Sequence, residues 1–241
     1  MADNPLFPVT ERGAATTAHA AIDAGLRQFL INVYTYMASG LALTGVVAYV
    51  AAESGLYASL HAIPVLFWGV VLAPLALVLL LSFRIEKMSL GSVQAAFWGY
   101  AGLVGLSLAG IFLVYTGASV ARTFFVTAAT FSAMSLYGYT TGRDLTGIGS
   151  FLVMGLVGII IASLVNVFLV STQLQFAISL IGVIIFVGLT AYDTQRLKTI
   201  YLEGGDTVRL GKKAIMGALA LYLDFLNLFV MLLQLSGQRR N

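Results

Sequence analysis

Two carboxylates in this chain sit where a carboxylate is costly. Asp224 lies in Ala220-Leu-Tyr-Leu-Asp-Phe-Leu-Asn-Leu-Phe229, and Asp193 in Gly188-Leu-Thr-Ala-Tyr-Asp-Thr-Gln-Arg-Leu-Lys198. An ionisable group inside an apolar run turns inward, finds a partner, and marks proton or ion handling by default. A third charged residue, Arg84, closes Leu80-Leu-Ser-Phe-Arg-Ile-Glu-Lys87. It could pair with a carboxylate or snorkel to the interface. Helical spacing lines up Lys213, Gly217, Ala220, Asp224, Asn227, Met231 and Gln234 on one stripe. The stripe is small, polar or pliable, while the other faces are Leu, Phe, Val and Tyr. Asn227 and Gln234 are therefore pore-lining candidates beside Asp224.

The elements that must carry these residues are membrane helices. Apolar residues make up 59% of the 241 and charged residues only 10%, with mean hydropathy +0.94. A soluble domain carries about 25% charge, so lipid must cover this surface. About 20 apolar residues cross the hydrocarbon, and seven stretches qualify: 29–52, 62–83, 93–116, 123–141, 150–170, 175–196 and 213–235. The fold class expected is all-α, a seven-transmembrane helical bundle. Residues 1–26 read as a flexible cytoplasmic tail, 27–236 as the transmembrane domain and 237–241 as a short C-terminal tail. The polar N-terminus lacks the apolar core of a signal peptide. Lys and Arg fall ten against three on alternate connections, which predicts a cytoplasmic N-terminus. This bias also accounts for the net charge of +3, so no nucleic-acid partner is expected. The absence of cysteine excludes thiolate chemistry, and His19 and His61 fall outside the spans. Glycines at 99, 102, 105, 155 and 158 are expected to let helices approach closely, and Pro74 to kink the second span.

These segments resemble the Bax inhibitor-1 (transmembrane Bax inhibitor motif) family, in its bacterial form. Tyr192-Asp-Thr-Gln195 matches that family's signature at the end of the sixth helix. Leu221-Tyr-Leu-Asp-Phe-Leu-Asn-Leu-Phe229 matches its seventh helix, and Gly40-Leu-Ala-Leu-Thr-Gly45 with Ala48-Tyr49 its first. The resemblance covers about residues 25–235. It implies a bundle with the seventh helix central, in a bacterial plasma (inner) membrane, acting as a pH-sensitive calcium leak. It further implies that Asp193 and Asp224 share a proton as pH sensor and gate, and that Arg84 latches the pore by pairing with the first of them. Two departures stand out. The second span carries no carboxylate, and the last connection contains Glu203-Gly-Gly-Asp206.

The chemistry follows from a shared proton. Loss of that proton sets two like charges against each other and frees oxygen ligands for a hard cation. Two carboxylates form a weak, transient calcium site, so calcium is expected as permeant and no cofactor as tightly bound. An intramembrane aspartyl protease would need Gly-x-Gly-Asp at its second aspartate, where this chain has Leu221-Tyr222-Leu223-Asp224; no enzyme is expected. The alternative is a non-transporting regulator that binds a membrane protease or a cell-death factor. Lipid, calcium and protons are the expected partners otherwise.

Overall fold

The computed structural model describes residues 8–240, with side chains from Ile22 onward. The chain is helical almost throughout. In order it forms α1 Pro8–Glu53, α2 Leu56–His61, α3 Pro64–Arg84, a 3-10 turn Ile85–Lys87, α4 Leu90–Leu108, α5 Gly110–Val114, α6 Gly117–Thr140, α7 Thr146–Leu169, α8 Thr172–Leu202 and α9 Thr207–Ser236. The backbone is already helical at Pro8, within the stretch expected as a tail. Residues 1–7 and the side chain of His19 lie outside the described residues.

Among the described residues, six helices are long and apolar enough to cross a membrane: Ile22–Glu53, Pro64–Lys87, Leu90–Val114, Thr146–Leu169, Thr172–Leu202 and Thr207–Ser236. The expected fourth span, 123–141, corresponds to α6. That helix has 24 residues, enough for length, but it falls short in apolarity. The reason is its buried face, which carries Ser119, Thr123, Thr127, Ser135 and Gly138.

Local sequence explains where the helices begin. Ser89, Thr116, Ser171 and Asp206 each accept from a backbone N–H three residues on, the N-cap bond that satisfies a helix start. The turn between α8 and α9 is set by Gly204 and Gly205, with φ of 72° and 145°, conformations that side-chain-bearing residues resist. Lys213 then pairs with Glu203 at 3.2 Å across the turn. The departure noted in the last connection is thus a built hairpin. It fixes the register of Asp193 against Asp224.

The helix ends sort into two groups. At one end, Lys212 Nζ donates to the carbonyls of Ile85 and Glu86, Lys198 Nζ to the carbonyl of Tyr139, and Gln195 to that of Arg143. Helix α1 passes this end at Phe29, which packs against Tyr201. At the other end, the C-terminus is pinned. Thr116 N–H donates to Gln238 O, Arg240 N–H to Val114 O, and Gln238 N–H to Ser119 Oγ. Residues 237–240, within the stretch expected as a short C-terminal tail, are stitched to the start of α6. Most Lys and Arg gather at the first end.

The last helix, α9, packs against α1, α4, α6 and α8, while α3 rests mainly on α4 and α7 on α8. Close approach depends on particular glycines. A Cβ on Gly138 would collide with the backbone of Ala191, and one on Gly105 would meet the backbone of Thr44 at 2.7 Å. Gly102 and Gly158 have nothing within 4 Å of an added Cβ, so only part of the expected glycine stripes is packing surface. Pro74 lies inside an unbroken α3.

Gly138→Val should cost about 1–3 kcal/mol by overpacking the α6–α8 contact and lower the melting temperature in detergent. Gly158→Ala should leave it unchanged. Equal melting temperatures for both variants would contradict the contact.

Candidate functional site

The stripe expected on α9 is the face that this helix turns to α8 and to the space beside it. Lys213 reaches Ile200 O, Glu203 and Gly204 O. Gly217 lies against Leu197, and Met231 against Gly182. Gln234 accepts from Ser179 at 2.8 Å and from Gln175 at 2.7 Å. A polar helix face in lipid has to be satisfied by the protein itself, and α8 supplies the partners.

Midway along this contact, Asp193 and Asp224 face each other within hydrogen-bonding reach. Asp224 is 5% exposed, and its Oδ2 has no hydrogen-bond partner among the described residues. Ionised carboxylates are acceptors only, so the contact closes as a hydrogen bond only if one carries a proton. Asp193 is half-buried, and a buried Asp224 beside it is tolerable only with that proton or with a compensating cation.

Two cavities meet at this pair. One, of about 380 Å³, opens at the basic end beside Glu86, Arg196, Arg209, Lys212 and Lys213. The other, of about 550 Å³, runs between α7, α8 and α9 along Ile159, Ser163, Asn227 and Met231, and takes in Asp224. Asp193, Arg196 and Ala220 line both. Asp193 therefore stands where a charged mouth adjoins a cleft between α7, α8 and α9, with Asp224 beside it in the cleft.

Beyond this space lies a cluster of amides. Asn166 Nδ2 donates to Gln175 Oε1, Gln175 Nε2 donates to Gln234 Oε1, and Ser179 Oγ donates to Gln234 Oε1. Of the pore-lining candidates, Asn227 lines the cleft between α7, α8 and α9, although its Nδ2 donates to Leu223 O. Gln234 belongs to the amide cluster instead. For a cation, the pair offers carboxylate oxygens and the neighbouring Asn227 an amide oxygen. Calcium takes 6–8 oxygens, so water would have to supply the rest.

Arg84 is not brought to the pair. It is exposed, makes no ion pair among the described residues, and lines neither cavity. The expected latch between Arg84 and Asp193 is therefore not formed in this structure. Two other cations occupy the neighbourhood. Arg196 follows Asp193 by one turn of α8 and acts on it electrostatically. Lys212 ties the end of α3 to α9 through the carbonyls of Ile85 and Glu86. Sequence reading did not single out Lys212. Its bonds go to backbone, which no charge pattern reveals. The brace from Tyr34 Oη to Thr194 Oγ1, 3.2 Å, was equally hidden.

Comparison with known proteins decides the family. A profile described as "Inhibitor of apoptosis-promoting Bax1" matches residues 26–241. The chain belongs to the Bax inhibitor-1 family. Among its relatives is the inner membrane protein YbhL of Escherichia coli K12, 52% identical over 90% of this chain and 94% of the relative. Another is protein RP147 of Rickettsia prowazekii, 46% identical over 98% of this chain and all of the relative. A protein of Caulobacter vibrioides is 45% identical over 94% of each. With six apolar helices of spanning length and an inner-membrane relative, this Bax inhibitor-1 family member is an integral membrane protein.

Because the chain has no cysteine, single cysteines can be introduced without background. Ala220→Cys, lining both cavities, should react with a water-soluble maleimide in intact vesicles that present the basic end outward. Ile178→Cys, buried in the apolar cluster of α7, α8 and α9, should not. Failure of the Ala220 site to label would mean that the mouth is closed to water.

Proposed function

We propose that this chain is a pH-sensitive calcium leak of a bacterial inner membrane, gated by a proton shared between Asp193 and Asp224. The observation that carries the reading is the contact of these two carboxyls at the meeting point of the two cavities.

The proposed topology has seven crossings, with α6 as the fourth and α9 as the central helix. Three facts support it. At 24 residues, α6 spans about 36 Å, more than the roughly 30 Å of hydrocarbon. Its start is bonded to residues 238–240 and its end, through Tyr139 O, to Lys198 of α8, at opposite ends of the bundle. Meanwhile α9 touches four other long helices. The basic end is placed in the cytoplasm, and the N-terminus with it, by the positive-inside rule.

With the proton in place, the pair holds α8 to α9. Its loss leaves two negative charges in a poorly screened setting, where repulsion is strong. The helices then move apart, the cavities join, and the carboxylates become ligands for calcium entering through the mouth. Weak binding suits conduction, since an ion must also leave. Flux runs down the electrochemical gradient and rises with pH. The tie that restrains α3 in the closed form is Lys212, in place of the Arg84 latch that the family resemblance implies. No catalytic step belongs to this reading.

Purified protein in vesicles loaded with a calcium dye gives the test. Flux should rise as pH rises, and a one-unit step can change the ratio of ionised to protonated pair about tenfold. Asp193→Asn and Asp224→Asn should each flatten the pH dependence, because an amide donates to the remaining carboxylate without a titrating proton. Wild-type pH dependence in both variants would overturn the gate. Lys212→Met should raise the leak at low pH, whereas Arg84→Met should change it by less than about twofold, as expected of an exposed residue with no pairing. The reverse ranking would restore the Arg84 latch.

A further inference from the structure

Asp193 belongs to the run Tyr192-Asp193-Thr194-Gln195, and the proposed gate uses that residue alone. The other three are each engaged with a different part of the bundle. Successive residues of a helix point about 100° apart, so four in a row face four directions. Tyr192 lays its ring on α7 at Gly149, where an added Cβ would collide with it. Thr194 is 1% exposed and meets Tyr34 Oη of α1 at 3.2 Å. Gln195 holds the connection between α6 and α7. Its Oε1 accepts from Leu145 N–H at 2.8 Å, and its Nε2 donates to Arg143 O at 2.7 Å. The direction left over is that of Asp193, toward Asp224 on α9. One residue earlier, at Ala191, the backbone of α8 is pressed on Gly138 of α6.

Two of these contacts are more than packing requires. A threonine inside a helix can bond the carbonyl four residues back, as Thr190 does with Phe186 O. Thr194 has no such bond among the described residues, and its hydroxyl turns to α1 instead. Gln195 commits both ends of its amide to the backbone just before the first turn of α7. Contacts on one side of a helix let it roll. Contacts on all sides stop it from turning about its axis.

Rotation is what the carboxyl pair tolerates least. An aspartate carboxyl stands about 6 Å from its helix axis, so a turn of about 20° carries it about 2 Å. The O–H···O bond has a window of about 0.5 Å, and an aspartate side chain is too short to follow. We infer that Tyr34, Thr194 and Gln195 are positioning residues, which fix the rotation of α8 so that Asp193 faces Asp224. The inference rests on the shared proton and does not require calcium to pass. The charged groups facing Asp193 are Asp224, Arg209, Lys212 and Lys213 of α9, Arg196 and Glu203 at the end of α8, and Glu86 after α3, while α7 presents no titratable side chain to it. None of these is altered in the variants below.

Infrared titration of the full-length protein in bilayers tests this, by the pH at which the protonated aspartate is lost. With α8 free to turn, the proton is no longer bonded from both sides, and the charges left behind are further apart. It then leaves at lower pH. Thr194→Val and Tyr34→Phe should each lower that pH by about 0.5–1 unit, the scale of one hydrogen bond. The double variant should go no lower than either, since both remove the same bond, and Thr194→Ser should keep the wild-type value. Gln195→Met should lower it as well. Gln175→Met removes as many side-chain bonds from α8, about 30 Å along the helix, and should leave it unchanged. Melting temperatures show whether Gln195→Met folds, and Tyr34→Phe with Thr194→Val carries the test if it does not. Wild-type titration in Thr194→Val and Tyr34→Phe, or an equal shift in Gln175→Met, would overturn the positioning. A wild type with no protonated aspartate at any pH would remove the pair and this inference with it. The expected shifts without calcium flux would uphold the positioning and overturn only the leak.

Discussion

The arrangement depends on the antiparallel contact between α8 and α9. A helix with one polar face has no stable place against lipid tails. That face needs another helix, and the partner must present complementary groups at the right heights. Here the heights are set by four residues. Glu203 anchors Lys213, Gly204 and Gly205 make a turn other residues resist, and Asp206 caps the next helix. From that start, successive turns bring Gly217 to Leu197, Asp224 to Asp193, Met231 to Gly182 and Gln234 to Ser179. A one-residue slip would move both carboxyls off the shared face and bury them unpaired.

The other helices serve that contact to different degrees. Helix α6 presses its backbone on α8 at Gly138, two residues before the helix ends at Thr140, and α7 walls the cleft beside the pair. Helix α3 stands furthest out and is held at the basic end by Lys212. In the proposed reading this is what a gate needs: a firmly registered pair at the centre, and a peripheral helix tied by few bonds.

Much of the site was legible because helical period converts directly into a face. The α9 stripe came from spacing alone, and α8 now covers it. Asp193 and Asp224 stood out because charge is rare in such runs. Their being opposite each other was not written in either run, and came only with the family resemblance and then the geometry. Other features left weaker traces. A hydroxyl-lined face makes α6 less apolar than its neighbours while keeping it in the bundle. Lys212 acts on backbone carbonyls, so no acidic residue advertises its role. Arg84 has the position of a latch but not the partner, since position on a helix end says nothing about which way a long side chain turns. The pinned C-terminus rests on backbone bonds, which composition does not encode.

The central claim is that loss of one carboxyl proton opens the path. Infrared spectroscopy of the reconstituted protein, with its aspartates carbon-13 labelled, can follow the protonated carboxyl stretch while flux is recorded over the same pH range. The account predicts one protonated aspartate at low flux, with its band fading over the range in which calcium flux rises. A band that stays constant while flux rises, or flux that rises with no protonated aspartate to lose, would contradict it.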